Sequence, residues 1–152
     1  MKFWQTSNLG GQASVKLVAD ANVLLSAVLG GRASLVLSHP NIEATFTTEA
    51  TYGEVQEYAV VLSRSRRLSP DALLLAVAAL PVTLVERPVY ANLMGQARKS
   101  IGKRDPDDVE ILALALHLKL PLWSNDNDFE VTDIEWYTTA ELLQRLGISQ
   151  GK

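Results

Sequence analysis

Residues 108–129 read DVEILALALHLKLPLWSNDNDF and contain the clearest helix-then-strand pattern in this sequence. The apolar spacing predicts a helix over residues 107–119 and a buried strand over residues 120–123. Such a helix descends about 18 Å, at roughly 1.5 Å per residue. The chain up to Asp126 then climbs back about 17 Å, at roughly 3.3 Å per residue. Asp108 and Asp126 are therefore predicted to lie at the same edge of a sheet.

Strands and helices alternate along the rest of the chain. Strands are predicted at residues 15–19, 44–47, 82–85, 120–123 and 135–137. Helices are predicted at residues 22–29, 34–38, 48–66, 70–80, 88–99, 107–119 and 139–146. This alternation predicts an α/β fold, a three-layer α/β/α sandwich with a central parallel sheet. In such a sheet the carboxyl ends of the strands share one edge, where ligands bind.

Composition limits the class of protein. The chain has 152 residues, of which 47% are hydrophobic and 20% charged, the balance of one globular domain. A net charge of −3 excludes a broadly basic nucleic-acid-binding surface. No cysteine is present, which excludes disulfides and thiolate metal sites and fits a reducing cytoplasm. The longest apolar run, residues 72–85, is shorter than the roughly 20 residues that span a membrane. We therefore expect a cytoplasmic protein without a membrane partner.

Glu54 is a candidate functional acid on the helix that follows the second strand. It shares a helical face with Ala50, Tyr58 and Val61, and this spacing predicts that it faces inward. A buried glutamate is costly unless a cation or a hydrogen-bond partner meets it. Thr51 and Glu54 also match a capping box, which is the local alternative.

Asp20 ends the first predicted strand, so it is expected at the same sheet edge as Asp108 and Asp126. Each acid has a local explanation, because Asp20 suits a helix N-cap, Asp108 suits a helix N-terminus, and residues 125–128 suit a turn. These explanations do not account for four acids at one edge with too few basic residues beside them. Gathered carboxylates repel, and a hard divalent cation is the usual remedy. The pattern predicts a Mg²⁺ or Mn²⁺ site that activates water for phosphodiester hydrolysis.

These residues resemble the PIN domain, the fold of metal-dependent ribonucleases that includes the VapC toxins. The resemblance rests on VADANVLLSAV at residues 18–28, on Glu54 and on the segment at residues 108–129, and it covers residues 15–147. It implies an acidic quartet made of Asp20, Glu54, Asp108 and Asp126. It also implies hydrogen bonds within the site from Asn22 and Ser124, and an auxiliary acid at Asp128.

The sequence departs from the family pattern at two places. Serine stands at position 124, where threonine is commoner. Asp105, Asp107 and Asp108 crowd one loop around Pro106, so the ligand has to be chosen by helix register. Asp108 shares its face with the apolar stripe that packs on the sheet, whereas Asp107 shares its face with Glu110 on the wetter side. We predict Asp108 as the ligand and Asp107 as auxiliary at most.

The resemblance implies a cytoplasmic endoribonuclease that is the toxin of a toxin–antitoxin pair. RNA would be steered by Arg98, Lys99, Lys103 and Arg104, or by a second patch of Arg64, Arg66 and Arg67. Ordinary solvated faces are the alternative for both patches. A non-catalytic RNA- or partner-binding module is the alternative function. A phosphorylated receiver domain ranks low, because the strand ending at Tyr137 is followed by threonines and not by lysine.

Two further expectations concern the domain limits and the oligomeric state. We expect residues 1–14 to be a loose leader, residues 15–147 a PIN-like nuclease domain, and residues 148–152 a tail. The run from Ala72 to Val77 is apolar nearly all round its helix, more than packing on one sheet requires. Because a surplus apolar face usually marks an interface, we expect a homodimer.

Overall fold

The computed structural model describes residues 5–6, 13–101 and 106–148. Within them the strands are β1 (Gln5–Thr6), β2 (Ala13–Ala19), β3 (Ile42–Thr48), β4 (Thr83–Val85), β5 (Leu122–Trp123) and β6 (Trp136–Tyr137). The helices are α1 (Ala21–Val28), α2 (Ala33–Leu37), α3 (Glu49–Ser65), α4 (Pro70–Ala78), α5 (Arg87–Tyr90), α6 (Met94–Ile101), α7 (Val109–Leu118) and α8 (Thr139–Arg145). Short 3-10 helices cover Ala91–Leu93, Pro106–Asp108 and Asn127–Val131. The alternation predicted from the sequence is confirmed.

The sheet explains why the predicted acids meet. Its order is β4-β3-β2-β5-β6, with every neighbouring pair parallel, and β1 adds antiparallel to β2. The chain builds outward from β2 through β3 to β4, then returns to the other side of β2 with β5. Val18 pairs with Leu122 and Ala19 with Trp123. The strand order therefore reverses between β2 and β5, and this switch point is where open α/β sheets bind ligands.

Two hydrophobic cores lie on the two faces of the sheet. Leu17 and Ala19 of β2 pack on one face with apolar residues of α1, α2, α3, α4 and α8. Val18 points to the other face, where it packs with residues of α5, α6 and α7. This alternation follows from the two-residue period of a strand. The three-layer α/β/α sandwich predicted from the sequence is confirmed.

The helix predicted over residues 88–99 is wrong as a single element. The chain instead forms α5, a 3-10 turn at Ala91–Leu93, and then α6. The break occurs at Tyr90, whose backbone has φ −112° and ψ 7°, outside the helical range. The Tyr90 side chain is buried, and its hydroxyl donates a hydrogen bond to Glu110. This long-range contact overrides the local helical pattern.

The leader predicted at residues 1–14 lies mostly outside the described residues. Of the part that is described, Gln5–Thr6 forms β1 and Ala13 and Ser14 begin β2, and the predicted domain limits stay a prediction. The predicted tail lies outside the described residues except for Ile148. No helix in the described ranges is long and apolar enough to cross a membrane.

Candidate active site

Asp20 stands where β2 gives way to α1. Its carboxylate caps the helix, accepting a hydrogen bond from the backbone N–H of Val23 at 3.0 Å. Its own N–H donates to the carbonyl of Trp123 at 3.2 Å, which ties it to the neighbouring strand. The N-cap expected from the sequence is confirmed. The residue is 4% exposed, so a carboxylate that caps a helix is also buried at the switch point.

The turn after β5 holds Asp126 beside Asp20. The N–H of Asp126 donates to Oγ of Ser124 at 3.0 Å, and the Asp126 carboxylate accepts from the N–H of Asp128 at 2.9 Å. The buried Ser124 also hydrogen-bonds the Asp20 carboxyl. One serine side chain therefore contacts both acids, which gives the predicted polar role of position 124 a definite geometry.

Residues of the last strand and helix brace this turn, and the sequence analysis missed them. The indole N–H of Trp136 donates to the carbonyl of Ser124 at 2.8 Å. The N–H of Thr139 donates to the Asn125 side chain at 2.8 Å, while the Thr139 hydroxyl accepts from the indole of Trp123 at 2.9 Å. Local pattern carries no signal for contacts that join residues 12 to 16 positions apart.

The face of α3 predicted to point inward is wrong. Ala50 is exposed, and Tyr58 and Val61 are 47% and 58% exposed. The buried residues of α3 are Thr51, Val55, Ala59 and Ser63. Glu54 lies at the border of this face, half-buried, and still lines the cleft described below.

Hydrogen bonds explain why small polar side chains form the buried face of α3. Thr48, and not Thr51, is the N-cap, because its Oγ1 accepts from the N–H of Thr51 at 2.8 Å. Its hydroxyl also donates to Oγ1 of Thr51 at 2.7 Å, and the Ser63 hydroxyl donates to the Val60 carbonyl at 2.6 Å. The capping box considered for Thr51 and Glu54 is therefore wrong. Hydroxyl groups that are hydrogen-bonded can be buried at a low cost in free energy. A count of apolar residues therefore does not identify the inward face of α3.

Asp108 ends the 3-10 helix that leads into α7. It lines the cleft together with Ile111, as the predicted register requires. The Asp107 side chain lies outside the described part of the structure, and so does Asp105. Glu110, predicted on the wetter side of this helix, is 18% exposed and pairs with Arg87, whereas Ile111 and Leu112 on the apolar stripe are each 1% exposed.

These elements enclose a cleft of about 160 Å³ at the carboxyl edge of the sheet. It is lined by Asp20, Ala21, Asn22, Thr51, Glu54, Tyr58, Asp108, Ile111 and Asp126. The structure thus brings the four candidate acids and Asn22 together, and adds Thr51 and Tyr58, which were predicted as neighbours of Glu54 and not as site residues. None of these nine residues is lysine, arginine or histidine.

Burial makes the charge on Asp20 costly. The pKa of Asp20 is raised to about 6, chiefly by desolvation, and the nearby Asp126 charge acts in the same direction. Hydrogen bonds from Ser124 and from the N–H groups of Val23 and Asn22 lower this pKa, but burial outweighs them. A cation between these carboxylates would favour their charged forms. All-oxygen donors without a basic neighbour in the cleft fit a hard divalent ion.

The acids do not form a ready-made ligand cage. Among the described residues, no group of three or more Asp, Glu or His side chains is placed to hold one metal ion. A Mg²⁺-type ion does not require such a cage, because it keeps several waters and binds through one or two carboxylates. The cleft therefore fits an ion held in part through water.

The remaining candidates lie around the cleft or beyond the described residues. Asp128 is not among the lining residues, and its N–H instead supports Asp126. Arg98 and Lys99 are exposed on α6. Lys103 and Arg104 lie outside the described residues.

The comparisons with known proteins agree with this geometry. The profile of the PIN domain family matches residues 18–147. The chain belongs to the PIN domain family. No curated protein sequence matches the chain at a significant level.

Solved structures with the same fold are distant in sequence from this PIN domain. PAE2754 from Pyrobaculum aerophilum aligns with a TM-score of 0.67 at 16% identity, over 94% of this chain and 96% of that chain. VapC20 from Mycobacterium tuberculosis, described as a sarcin-ricin loop cleaving toxin, aligns with a TM-score of 0.56 at 17% identity, over 78% and 95%. DNA-bound VapBC from Salmonella typhimurium aligns with a TM-score of 0.59 at 19% identity, over 82% and 98%. At such identities the likeness shows the fold.

Proposed function

We propose that this PIN domain is a metal-dependent endoribonuclease that hydrolyses RNA phosphodiester bonds. The observation that carries the proposal is the cleft in which Asp20, Glu54, Asp108 and Asp126 meet with no basic residue among its lining. Its position at the switch point of the sheet supports a ligand site. The fold shared with VapC20, described as a sarcin-ricin loop cleaving toxin, supports a nuclease activity, and we propose RNA as the substrate class.

The four acids would hold Mg²⁺ or Mn²⁺, which when bound supplies activation of a water and neutralisation of charge on the phosphate. Asp20 is the anchor of this set, because helix α1 and Ser124 fix its carboxylate. Asp126 approaches it from the adjacent strand. Asp108, from the 3-10 helix that leads into α7, and Glu54, from α3, complete the set.

The neighbouring polar residues have supporting roles in this proposal. Ser124 keeps the Asp20 carboxyl and the Asp126 backbone in register, and Asn22 offers an amide at the cleft wall. Asp128 is an auxiliary acid that acts through the turn it shares with Asp126. Asp107 is auxiliary at most.

The RNA backbone would approach over α6 and the residues that follow it in the chain. Arg98 and Lys99 are exposed there, and Lys103 and Arg104 come next in the chain. Phosphate contacts of this kind orient the strand and leave sequence selection to other groups.

We infer that the chain is the toxin half of a toxin–antitoxin pair in the cytoplasm. Several solved relatives are VapBC complexes or other toxin–antitoxin complexes, which supports an antitoxin as protein partner. We also propose a homodimer, because Leu75 on α4 is 71% exposed beside other apolar residues of that helix.

An RNA cleavage assay tests the enzyme against the alternative of a non-catalytic binding module. Purified protein is incubated with total RNA and Mn²⁺ or Mg²⁺, with and without EDTA. We expect cleavage with the metal ion, none with EDTA, and none from Asp126→Asn. Asp133→Asn, the same change on an exposed loop, is the matched control and should cleave normally. Full cleavage in EDTA would refute the metal-dependent mechanism, and RNA binding without cleavage would favour the binding module.

A further inference from the structure

Three side chains, two on α5 and one on α7, form a hydrogen-bonded cluster outside the acidic cleft. Arg87 and Glu110 pair, with Nε of Arg87 donating to Oε1 of Glu110 at 3.2 Å and Nη2 donating to Oε2. The Tyr90 hydroxyl donates to Oε1 of the same carboxylate. Two-point pairing between a guanidinium and a carboxylate sets orientation as well as distance. None of the three residues lines the cleft.

Tyr90 connects this cluster to a second helix. Its side chain is 1% exposed, and its hydroxyl also lies in hydrogen-bonding contact with the side chain of Thr48. Burial, followed by the hydrogen bond to Glu110, raises the pKa of Tyr90 to about 12. The hydroxyl is therefore protonated at neutral pH and remains a donor.

Both ends of this chain of contacts lead to the cleft. Thr48 is the N-cap of α3 and hydrogen-bonds Thr51, which lines the cleft one turn before Glu54. Glu110 lies two residues after Asp108, at the start of α7. Side-chain contacts therefore run from Thr48 at the start of α3, through Tyr90, to Glu110 at the start of α7.

We propose that Tyr90, oriented by Glu110 and Arg87, is a positioning residue that sets the spacing of Glu54 and Asp108 by joining the starts of α3 and α7. The inference rests on the proposed function, since it concerns the metal affinity of that cleft. The described acids do not stand as a ready-made cage, so affinity depends on how far apart different helices hold them. A link between two of those helices is therefore a determinant of affinity, although it contacts no ligand.

The test compares two tyrosine-to-phenylalanine variants, each of which removes one hydroxyl. Tyr90→Phe breaks the link between the helices. Tyr52→Phe is the matched control, because its hydroxyl, on α3, donates to the carbonyl of Val77 on α4 at 3.2 Å and lies away from α7. Mn²⁺ is titrated while the melting temperature is followed without RNA, since a ligand that binds the folded chain raises it. The Mn²⁺ dependence of RNA cleavage is measured in parallel.

We expect Tyr90→Phe to raise the half-saturating Mn²⁺ concentration roughly threefold in both measurements, less than the roughly 10–100-fold cost of losing a direct hydrogen-bond partner of a metal ligand, because Tyr90 acts through Thr48 and Glu110. Cleavage at saturating Mn²⁺ should stay near the wild-type rate, and Tyr52→Phe should match the wild type throughout. An unchanged requirement in Tyr90→Phe, or an equal increase in both variants, would overturn the positioning role. A wild-type chain whose melting temperature and cleavage both ignore Mn²⁺ would overturn the proposed function as well.

A surface variant keeps the test decisive if Tyr90→Phe does not fold. Arg87 is 62% exposed, so Arg87→Ala removes the guanidinium without opening the core. We expect a smaller increase in the Mn²⁺ requirement, partly restored by Arg87→Lys, which keeps the charge but not the two-point contact. An Arg87→Ala chain with the wild-type Mn²⁺ requirement would overturn the proposal.

Discussion

Replacing Asp20 with asparagine should make the metal-free protein more stable at neutral pH. Burial raises the pKa of this carboxyl from 3.8 to about 6, which means that keeping it charged in the folded chain costs free energy. A difference of about 2 units corresponds to about 3 kcal/mol, which is an upper estimate of the gain. Asparagine is as good an N-cap as aspartate, so the hydrogen bond to Val23 need not be lost. For a domain of this size the gain corresponds to a rise of roughly 5–10 °C in melting temperature.

The pH dependence separates this effect from better packing. Near pH 4 the folded chain holds a proton on Asp20 and the unfolded chain, with a pKa of 3.8, is only about half ionised, so the cost shrinks to about 0.5 kcal/mol. As the pH rises from about 4 to about 6, the unfolded chain loses its proton first and the wild type loses stability. Above pH 6 the cost is complete. The advantage of Asp20→Asn should therefore be large at pH 7.5 and small at pH 4.

Thermal unfolding in EDTA at the two pH values measures this difference without interference from bound metal ions. Asp133→Asn on an exposed loop is the control, and surface changes of this kind stay within about 0.5 kcal/mol. No gain for Asp20→Asn at pH 7.5 would refute the argument from buried charge. An equal gain at both pH values would mean that the stabilisation comes from packing or capping instead.

Two further predictions concern the crowded loop and the exposed helix. Asp108→Asn should lower RNA cleavage by more than the roughly 10–100-fold that follows loss of a hydrogen-bond partner of a metal ligand. Asp107→Asn should stay active. The reverse result in saturating Mn²⁺ would show that the helix register is wrong. Light scattering should give a dimer for the wild type and a monomer for Leu75→Glu, while Leu35→Glu, at another exposed leucine, should remain dimeric. A monomeric wild type at high micromolar concentration would refute the interface on α4.

Three of the four acids were predictable because each ends or begins a local element. Asp20 and Asp126 follow buried strands, and Asp108 precedes an apolar helix, so the sheet-edge rule was enough to bring them together. Glu54 also lines the cleft, but the reasoning that placed it there was wrong. The inward face of α3 consists of Thr51, Val55, Ala59 and Ser63, and two of these four are hydroxyl residues that hydrophobic periodicity does not count.

The contacts that hold the site in place could not be predicted from the sequence. Trp136 and Thr139 hydrogen-bond to Ser124 and Asn125 in the turn after β5. Tyr90, at the break in the predicted helix, hydrogen-bonds to Glu110. Each contact joins segments that are apart in the chain. One sequence contains many aromatic and polar residues that could pair in this way, and nothing local distinguishes the pairs that form.

The amino-acid sequence by itself determined the alternation of strands and helices, the parallel sheet, and the acids at strand ends and helix starts. These properties depend on side-chain period and on turn and capping residues, all of which act within a few positions. The tertiary structure alone decided that β5 pairs with β2, that Thr51 enters the cleft, and that Glu110 is held by Arg87 and Tyr90. Those outcomes depend on which distant surfaces pack against each other, because burial and hydrogen bonding are settled by the whole fold and not by neighbouring residues.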